Sequence, residues 1–377
     1  MVLVTFQGMK VLMVSDYYPP HIGGIQSHVF DLTQELRRRG VEVKVVARGA
    51  GENVVSVPYV NVRYLRGLTF MFSLFFILLR CFKWKPDVIH CHSYQPAFIA
   101  MISKRLYGFH APVVITSHGK VAESVSKEKG WLYRSTVGLV AQSLEIFSSK
   151  KCDFLISVDE SFHKYALRFV ERGKIMVIPN WVDGNRFKKM HVKKEFPEPL
   201  ILCPRRLDKK NGLGYAVRSL KILKDKNIGA KLMIIGDGDD KYNVVKLVSE
   251  LGLKDDVIMT GSKPREEIIR YTNMADIILL PSPTGNFNFS LLESWACEKP
   301  VVMTDTGTTF DFPEVNETTG IICRQTDEDI AAKLQGALCG KYNLVGIARN
   351  GRKAVETRFS LRNSADEIER VYLRLTS

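Results

Sequence analysis

Residues 275–305 read ADIILLPSPTGNFNFSLLESWACEKPVVMTD. Ile277, Ile278, Leu279 and Leu280 form an apolar run of strand length, 281–289 is rich in loop formers, the segment carrying Glu293 has helical spacing, and Val301 opens a second apolar run. Strand, loop, helix and strand in that order make a crossover unit of a parallel sheet, and its loop lies at the carboxyl edge. The helix after the loop points free N–H groups and its positive dipole end at whatever binds there. An anionic ligand suits that end. Backbone N–H groups of Phe289, Ser290 and Leu291 can hold a phosphate, while Glu293, one turn inside, takes a sugar hydroxyl pair. Together these describe a nucleoside diphosphate site.

Outward from this block, Val- and Ile-rich runs alternate with amphipathic helices, the pattern of parallel sheets covered on both faces. Strands are expected at 10–15, 43–47, 88–92, 113–117, 155–158 and 175–178, then at 200–203, 232–235, 257–259, 277–280 and 301–303. Between the two series lies GNRFKKMHVKKEFPEP, polar, basic and broken by proline, which marks a domain junction. Two consecutive Rossmann-like units follow from the pattern alone. Leu361, Ala365, Ile368, Val371, Tyr372 and Leu375 share one stripe of a final helix.

The chain has 377 residues, 45% hydrophobic and 25% charged, which is globular composition with room for two cores. Its seven cysteines form no CxxC pair, and most sit in apolar runs, so reduced buried thiols and a cytoplasmic setting are expected. A net charge of +14 calls for an anionic partner. The charge is dispersed and no basic and aromatic array matches a nucleic-acid module, which leaves phosphate or acidic lipid. The first residues lack a basic region followed by a cleavable apolar core, so no secretory leader is expected, and 1–8 read as an extension before Met9. The most apolar stretch, 68–79, is too short to span about 30 Å of hydrocarbon. Flanked by Arg66, Arg80, Lys83, Trp84 and Lys85, it is either a core helix or one that dips a face into a membrane surface.

The block at 275–305 resembles the donor site of family 4 retaining glycosyltransferases. The resemblance implies the GT-B fold, an α/β architecture of two Rossmann-like domains with parallel sheets facing a central cleft. It gives an acceptor-side domain at 1–185, a nucleotide-sugar domain at 186–355 and a last helix at 356–377 that crosses back to the first domain. In the family two glutamates hold the donor at a fixed spacing. Glu293 falls on the second, which contacts the ribose, and the spacing puts the first, which faces the transferred sugar, at Gly285. Asn286 and Asn288 flank that gap and are either sugar-binding amides or loop formers.

DYYPPHIGGIQSHV follows the first strand, and GGIQSHV is close to the GGVQSHV of phosphatidylinositol mannosyltransferases. YPPHIGG and IPNWVD also resemble the catalytic subunit that starts glycosylphosphatidylinositol synthesis, with Trp181 standing where most relatives have glycine. Gly23 and Gly24 let a ligand approach backbone N–H groups without Cβ interference. Gln26 matches a glutamine beside the inositol acceptor, and Tyr17 is placed on the acceptor side with it. His118 follows the strand VVITS, where family members keep a histidine near the transferred sugar. His92 is a weaker candidate, and His90 shares its strand face. In CPRRLDKKNG, Arg206 matches the arginine that holds the diphosphate, Asn211 stands at the place of the partner lysine, and Lys210 precedes it. Ser262 and Lys263 fall beside the nucleotide base.

The implied reaction is a retaining transfer in which the leaving phosphate takes the acceptor's proton, and the protein supplies positioning and charge stabilisation. No metal and no cofactor is expected, a UDP- or GDP-sugar being the substrate and a lipid-linked or glycan molecule the acceptor. The expected place is the cytoplasmic side of an anionic membrane, with peripheral attachment. A nucleotide-sugar epimerase of the same fold would lack GGIQSHV and the RRL pattern. A non-catalytic sugar-nucleotide binder is the alternative that the missing first glutamate keeps open.

Overall fold

The computed structural model describes residues 8–21, 23–62, 65–120, 131–283, 289–307 and 311–377, with 131–137 described by backbone alone. The chain divides into two compact units, residues 1–180 with 361–377, and residues 181–360.

The first unit is built on β1 (Lys10–Tyr17), β2 (Glu42–Arg48), β3 (Val54–Ser56), β4 (Val88–Cys91), β5 (Val113–Ser117), β6 (Phe154–Ser157) and β7 (Ile175–Val177). They lie in the order β3-β2-β1-β4-β5-β6-β7, parallel throughout. The chain steps one way from β1 to β2 and β3, then returns to the other side of β1 for β4. That reversal places a switch point at the carboxyl ends of β1 and β4, where open α/β sheets bind ligands. Around the sheet run α1 (Gly24–Arg38), α2 (Arg66–Phe82), α3 (Tyr94–Tyr107), α4 (Trp131–Lys151) and α5 (Glu160–Ala166).

The apolar stretch forms α2, with one face in the core and apolar residues exposed on the other. Phe70, Leu74, Leu78, Cys81 and Phe82 are buried against the sheet, each large side chain contributing about 1.5–3 kcal/mol. Leu68, Phe72 and Phe76, four residues apart, stand 66%, 69% and 50% exposed. Among the described residues no helix is long and apolar enough to cross a membrane.

The second unit holds β8 (Leu200–Pro204), β9 (Lys231–Ile235), β10 (Val257–Gly261), β11 (Ile277–Leu280), β12 (Val301–Thr304) and β13 (Ile321–Cys323), in the parallel order β10-β9-β8-β11-β12-β13. Its switch point lies between β8 and β11. Its helices are α6 (Leu213–Asp225), α7 (Lys241–Glu250), α8 (Arg265–Met274), α9 (Phe289–Ala296), α10 (Asp327–Leu338) and α11 (Leu344–Thr357). Trp181, the first residue of this unit, is 1% exposed.

The last helix, α12 (Leu361–Thr376), belongs to the first unit and lies against α1. Leu361, Ala365, Ile368, Val371 and Tyr372 of its stripe are buried. A charged clamp holds its start. Arg39, at the end of α1, donates to Glu35 at 2.8 Å, Asp366 at 2.5 Å, Glu369 at 2.8 Å and the Arg362 carbonyl at 3.0 Å. Among the described residues six of the cysteines are buried, Cys339 is exposed and none is disulfide-bonded.

Candidate functional site

At the carboxyl edge of the first sheet, Asp16 ends β1 and Ser93 follows β4. The Ser93 hydroxyl donates to the Asp16 carboxylate at 2.5 Å, which ties the two sides of the switch point together. Burial pushes the Asp16 carboxyl up, against that hydrogen bond and nearby Arg48. Tyr17 is engaged within the unit: Arg48 donates to its hydroxyl at 2.7 Å and stacks on its ring at 4.4 Å. Gly23 and Gly24 open α1 as expected, and Gln26 folds back over that turn. A Cβ on Gly23 would lie 2.3 Å from Gln26 Oε1.

His118 follows β5 and is half-buried, but it is not isolated. His92 Nδ1 lies 3.5 Å from His118 Nε2, and the His28 ring of α1 meets that of His118 edge-on at 4.6 Å. His90 lies against His92 at 4.4 Å between centroids, with Nδ1 on the Tyr372 hydroxyl at 2.5 Å and Nε2 on the Thr116 hydroxyl at 2.7 Å. The final helix thereby supports the ring beneath His92. Burial, with repulsion from His118, pulls His90 down to about 3, and burial alone takes His118 to about 4. His28 and His92 are lowered well below the ordinary value by burial and by the neighbouring rings. The cluster is neutral at pH 7. It can hydrogen-bond a hydroxyl but presents no positive charge. His28 was not singled out in the sequence, although its helical phase with Leu32 and Leu36 puts it on the buried face.

At the carboxyl edge of the second sheet, the loop after β8 carries Arg205 and Arg206. The Arg206 side chain is 70% exposed, with its Nε 3.4 Å from Asp208. Arg205 is half-buried and donates to the Ser282 hydroxyl just past β11. Its Nε is buried and makes no hydrogen bond among the described residues. Burial lowers the Arg205 pKa from its usual value. The sequence reading chose Arg206 and passed over its neighbour; adjacent residues at a strand end point to opposite sides, so one of any such pair turns inward.

Asn211 does not stand free for a ligand in this structure. Its side-chain amide donates to the Arg206 carbonyl at 2.8 Å, so it shapes the cation loop from within. Lys210 is exposed in the turn before it. Ser290, in the first turn of α9, donates to the Pro204 carbonyl at 2.9 Å, which brings the helix start against the residue preceding the two arginines. Phe289, Leu291 and Glu293 ride on the same helix, Glu293 half-buried. Ser262 is exposed beyond β10, the edge strand, and Lys263 pairs with Glu267 at 3.0 Å. Gly285, Asn286 and Asn288 lie outside the described residues.

One sheet edge thus carries neutral imidazoles, and the other carries cations and a helix start. Residues 22–186 match the model for Glycosyltransferase Family 4, and residues 186–354 that for Glycosyl transferases group 1. The chain belongs to glycosyltransferase family 4. This family 4 glycosyltransferase is 27% identical to an uncharacterized glycosyltransferase of Methanocaldococcus jannaschii, covering 97% of this chain and 98% of that protein. It is 24% identical to one of the subunits of human phosphatidylinositol N-acetylglucosaminyltransferase, over 97% of this chain and 76% of that one. Among solved structures, Anabaena HepE in complex with UDP-glucose superposes with a TM-score of 0.75 at 15% identity, over 96% of this chain and 99% of that one.

Proposed function

We propose that this glycosyltransferase moves a sugar from a nucleoside diphosphate donor to a lipid-linked or glycan acceptor, with retention of configuration and without a metal, at an anionic membrane surface. One observation carries the donor half of the reading. Ser290 joins the start of α9 to the loop of Arg205 and Arg206, so N–H groups and guanidinium groups share one sheet edge at a switch point. That combination suits a diphosphate, whose charge grows as it leaves. A fold-mate that holds UDP-glucose and a relative named for phosphatidylinositol make UDP-sugars and inositol lipids the first substrates to assay. The assay is nucleotide release from UDP-, GDP- and ADP-sugars, with and without lipid extract. Tight nucleotide-sugar binding without release or transfer to any acceptor would favour the non-catalytic binder.

Two substitutions separate the donor contacts. Glu293→Ala is expected to weaken UDP or GDP itself, because the proposed partner is the ribose; equal nucleotide affinity by calorimetry would reduce Glu293 to a packing residue. Arg206→Ala is expected to weaken the diphosphate by about 1.5–3 kcal/mol, the scale of a charge-assisted contact, with folding intact. If calorimetry shows unchanged affinity, the diphosphate is held by Arg205, the half-buried neighbour.

The membrane half rests on α2. Residues 53–86 contain no aspartate or glutamate, and Arg66, Arg80, Lys83 and Lys85 bracket the outward stripe of Leu68, Phe72 and Phe76. Each basic residue near an anionic surface adds roughly 1 kcal/mol, and each phenylalanine that enters it adds about 2 kcal/mol. The protein should co-sediment with phosphatidylglycerol vesicles at low salt, less at high salt, and far less when Phe72 and Phe76 are both aspartate. Binding that ignores both salt and the double substitution would remove α2 from the surface.

A further inference from the structure

We propose that the amino edge of the first sheet carries a second ligand site, for a small amphipathic anion with an apolar body and a phosphate or carboxylate head. A cavity of about 560 Å³ lies there, bounded by the ends of α2, α3 and α12 and by the segments that lead into β4 and β5. His92 and His118 follow the opposite ends of those two strands, so the cavity is separate from the candidate site. Its volume is that of a small-molecule pocket, and its lining, mostly apolar with a few polar groups, has the composition of one.

Phe82 and Phe109 stack at 5.0 Å between centroids with their planes 11° apart, and the Tyr107 ring lies 6.0 Å from Phe82. These rings make an apolar wall. Lys83 and Lys85 line the same cavity and supply the charge. Asp87, the acid of the lining, accepts from the Lys10 N–H at 2.7 Å. Lys10 and Lys44 bring two more ammonium groups to the neighbouring Trp84 ring, at 5.9 and 4.5 Å, so the edge is net basic. Lysines also suit the negative end of a helix, and charge alone does not make a site. Lys85 adds a detail of its own: φ is +54, a left-handed backbone that suits glycine. A lysine held there against strain points to a use for its ammonium. Leu375 and Thr376 close the cavity from α12, one helical turn after Tyr372, whose hydroxyl supports His90. The Thr376 hydroxyl donates to the Tyr372 carbonyl at 3.0 Å. An occupant therefore bears on the turn that steadies the imidazole edge.

The test is calorimetric titration of the full-length protein with octyl phosphate, kept below its micelle-forming concentration. The expected result is one molecule per chain, with no binding of inorganic phosphate or of octanol at the same concentrations. Lys85→Gly should weaken octyl phosphate roughly tenfold, the scale of one charge-assisted contact, with a melting temperature unchanged or higher because glycine relieves the backbone. Tyr107→Ala, at a ring 45% exposed, should weaken it in a folded protein. Phe72→Asp combined with Phe76→Asp should leave it unchanged, which separates this site from the outward face of α2. Hydrogen exchange at the end of α12 should slow on binding. Displacement by phosphatidylglycerol vesicles would make the ligand a lipid, and persistence in their presence a soluble acid; the site stands in both cases. No saturable binding of octyl phosphate, or equal affinity in folded Lys85→Gly, would overturn it.

Discussion

Arg39→Ala is expected to cost the first unit about 3 kcal/mol at pH 7, the low end for breaking an enclosed ion pair. The guanidinium is 14% exposed and serves Glu35 and Glu369, whose side chains are 10% and 6% exposed, with Asp366 at the rim. Removing it leaves Glu35 with Arg38 alone, strips the enclosed Glu369 carboxylate of its cation, and unties the start of α12 from the end of α1. The two acids respond differently in the intact protein. Burial pushes Glu35 up, but the hydrogen bonds from Arg38 and Arg39 outweigh it, so its pKa falls below 4.5. For Glu369 burial prevails over Arg39, and its pKa is raised. Glu35 therefore adds stability that is present above its unfolded pKa and is lost as pH falls through the lowered folded value. Glu369 subtracts stability above its unfolded pKa, and that penalty disappears on protonation. Without Arg39 both folded pKa values rise, so the damage should be largest near neutrality and shrink as the pH falls and the acids take up protons. Peptide-resolved hydrogen exchange reads it out: α1 and α12 should lose protection at pH 7 while the second unit keeps its own. A loss below 1 kcal/mol that does not change with pH would mean that α12 is held by its apolar stripe alone.

What the sequence made legible follows from how local each signal is. β5 and β11 stand where their apolar runs predict, because a strand buried on both faces is written in consecutive residues. β3 and β13, three residues each, were not anticipated; they are edge strands, too short to show a period. The reading of 68–79 left a core helix and a membrane-dipping helix as rivals, because one helix carries a buried stripe and an exposed apolar stripe on opposite faces. Placement was legible where it follows from a strand end, as at His118 after β5 and Arg206 after β8. It was not legible where function depends on what another segment supplies. Asn211 occupies the place of a cation, yet its amide is committed to the Arg206 carbonyl. Arg205 matters because Ser282, many residues away, accepts from it. His28 joins His92 and His118 only because the switch point sets α1 against the ends of β4 and β5. Such convergence is a property of the crossover order, and single-segment patterns do not contain it.

Gly212→Ala is expected to remove nucleotide binding and to destabilise the second unit by about 3 kcal/mol or more, the combined scale of a strained left-handed residue and an overpacked contact. Gly212 sits between Asn211 and the first residue of α6 with φ +69, a conformation in which Cβ meets the adjoining backbone. Space forbids a side chain as well. An alanine Cβ would lie 2.0 Å from the Pro281 carbonyl oxygen and 2.9 Å from the Pro283 ring, and a backbone carbonyl cannot swing aside as a flexible side chain does. The loop after β11 would have to withdraw from the start of α6. That loop holds Ser282, which accepts from Arg205 and whose carbonyl accepts from the Thr304 hydroxyl at 2.6 Å, so the displacement reaches the cation loop and β12 together. Gly236 makes the same demand from the other side, since its Cβ would lie 2.2 Å from the Arg205 carbonyl. Gly236 thus lets the backbone pass close under Arg205, and Gly212, at the end of the same loop, lets it pass close to Pro281. Calorimetry with UDP and GDP and hydrogen exchange of the second unit test this together. If Gly212→Ala binds nucleotide normally, the contact with Pro281 relaxes without moving Arg205, and the position of the arginines must be set by β8 and α9 alone.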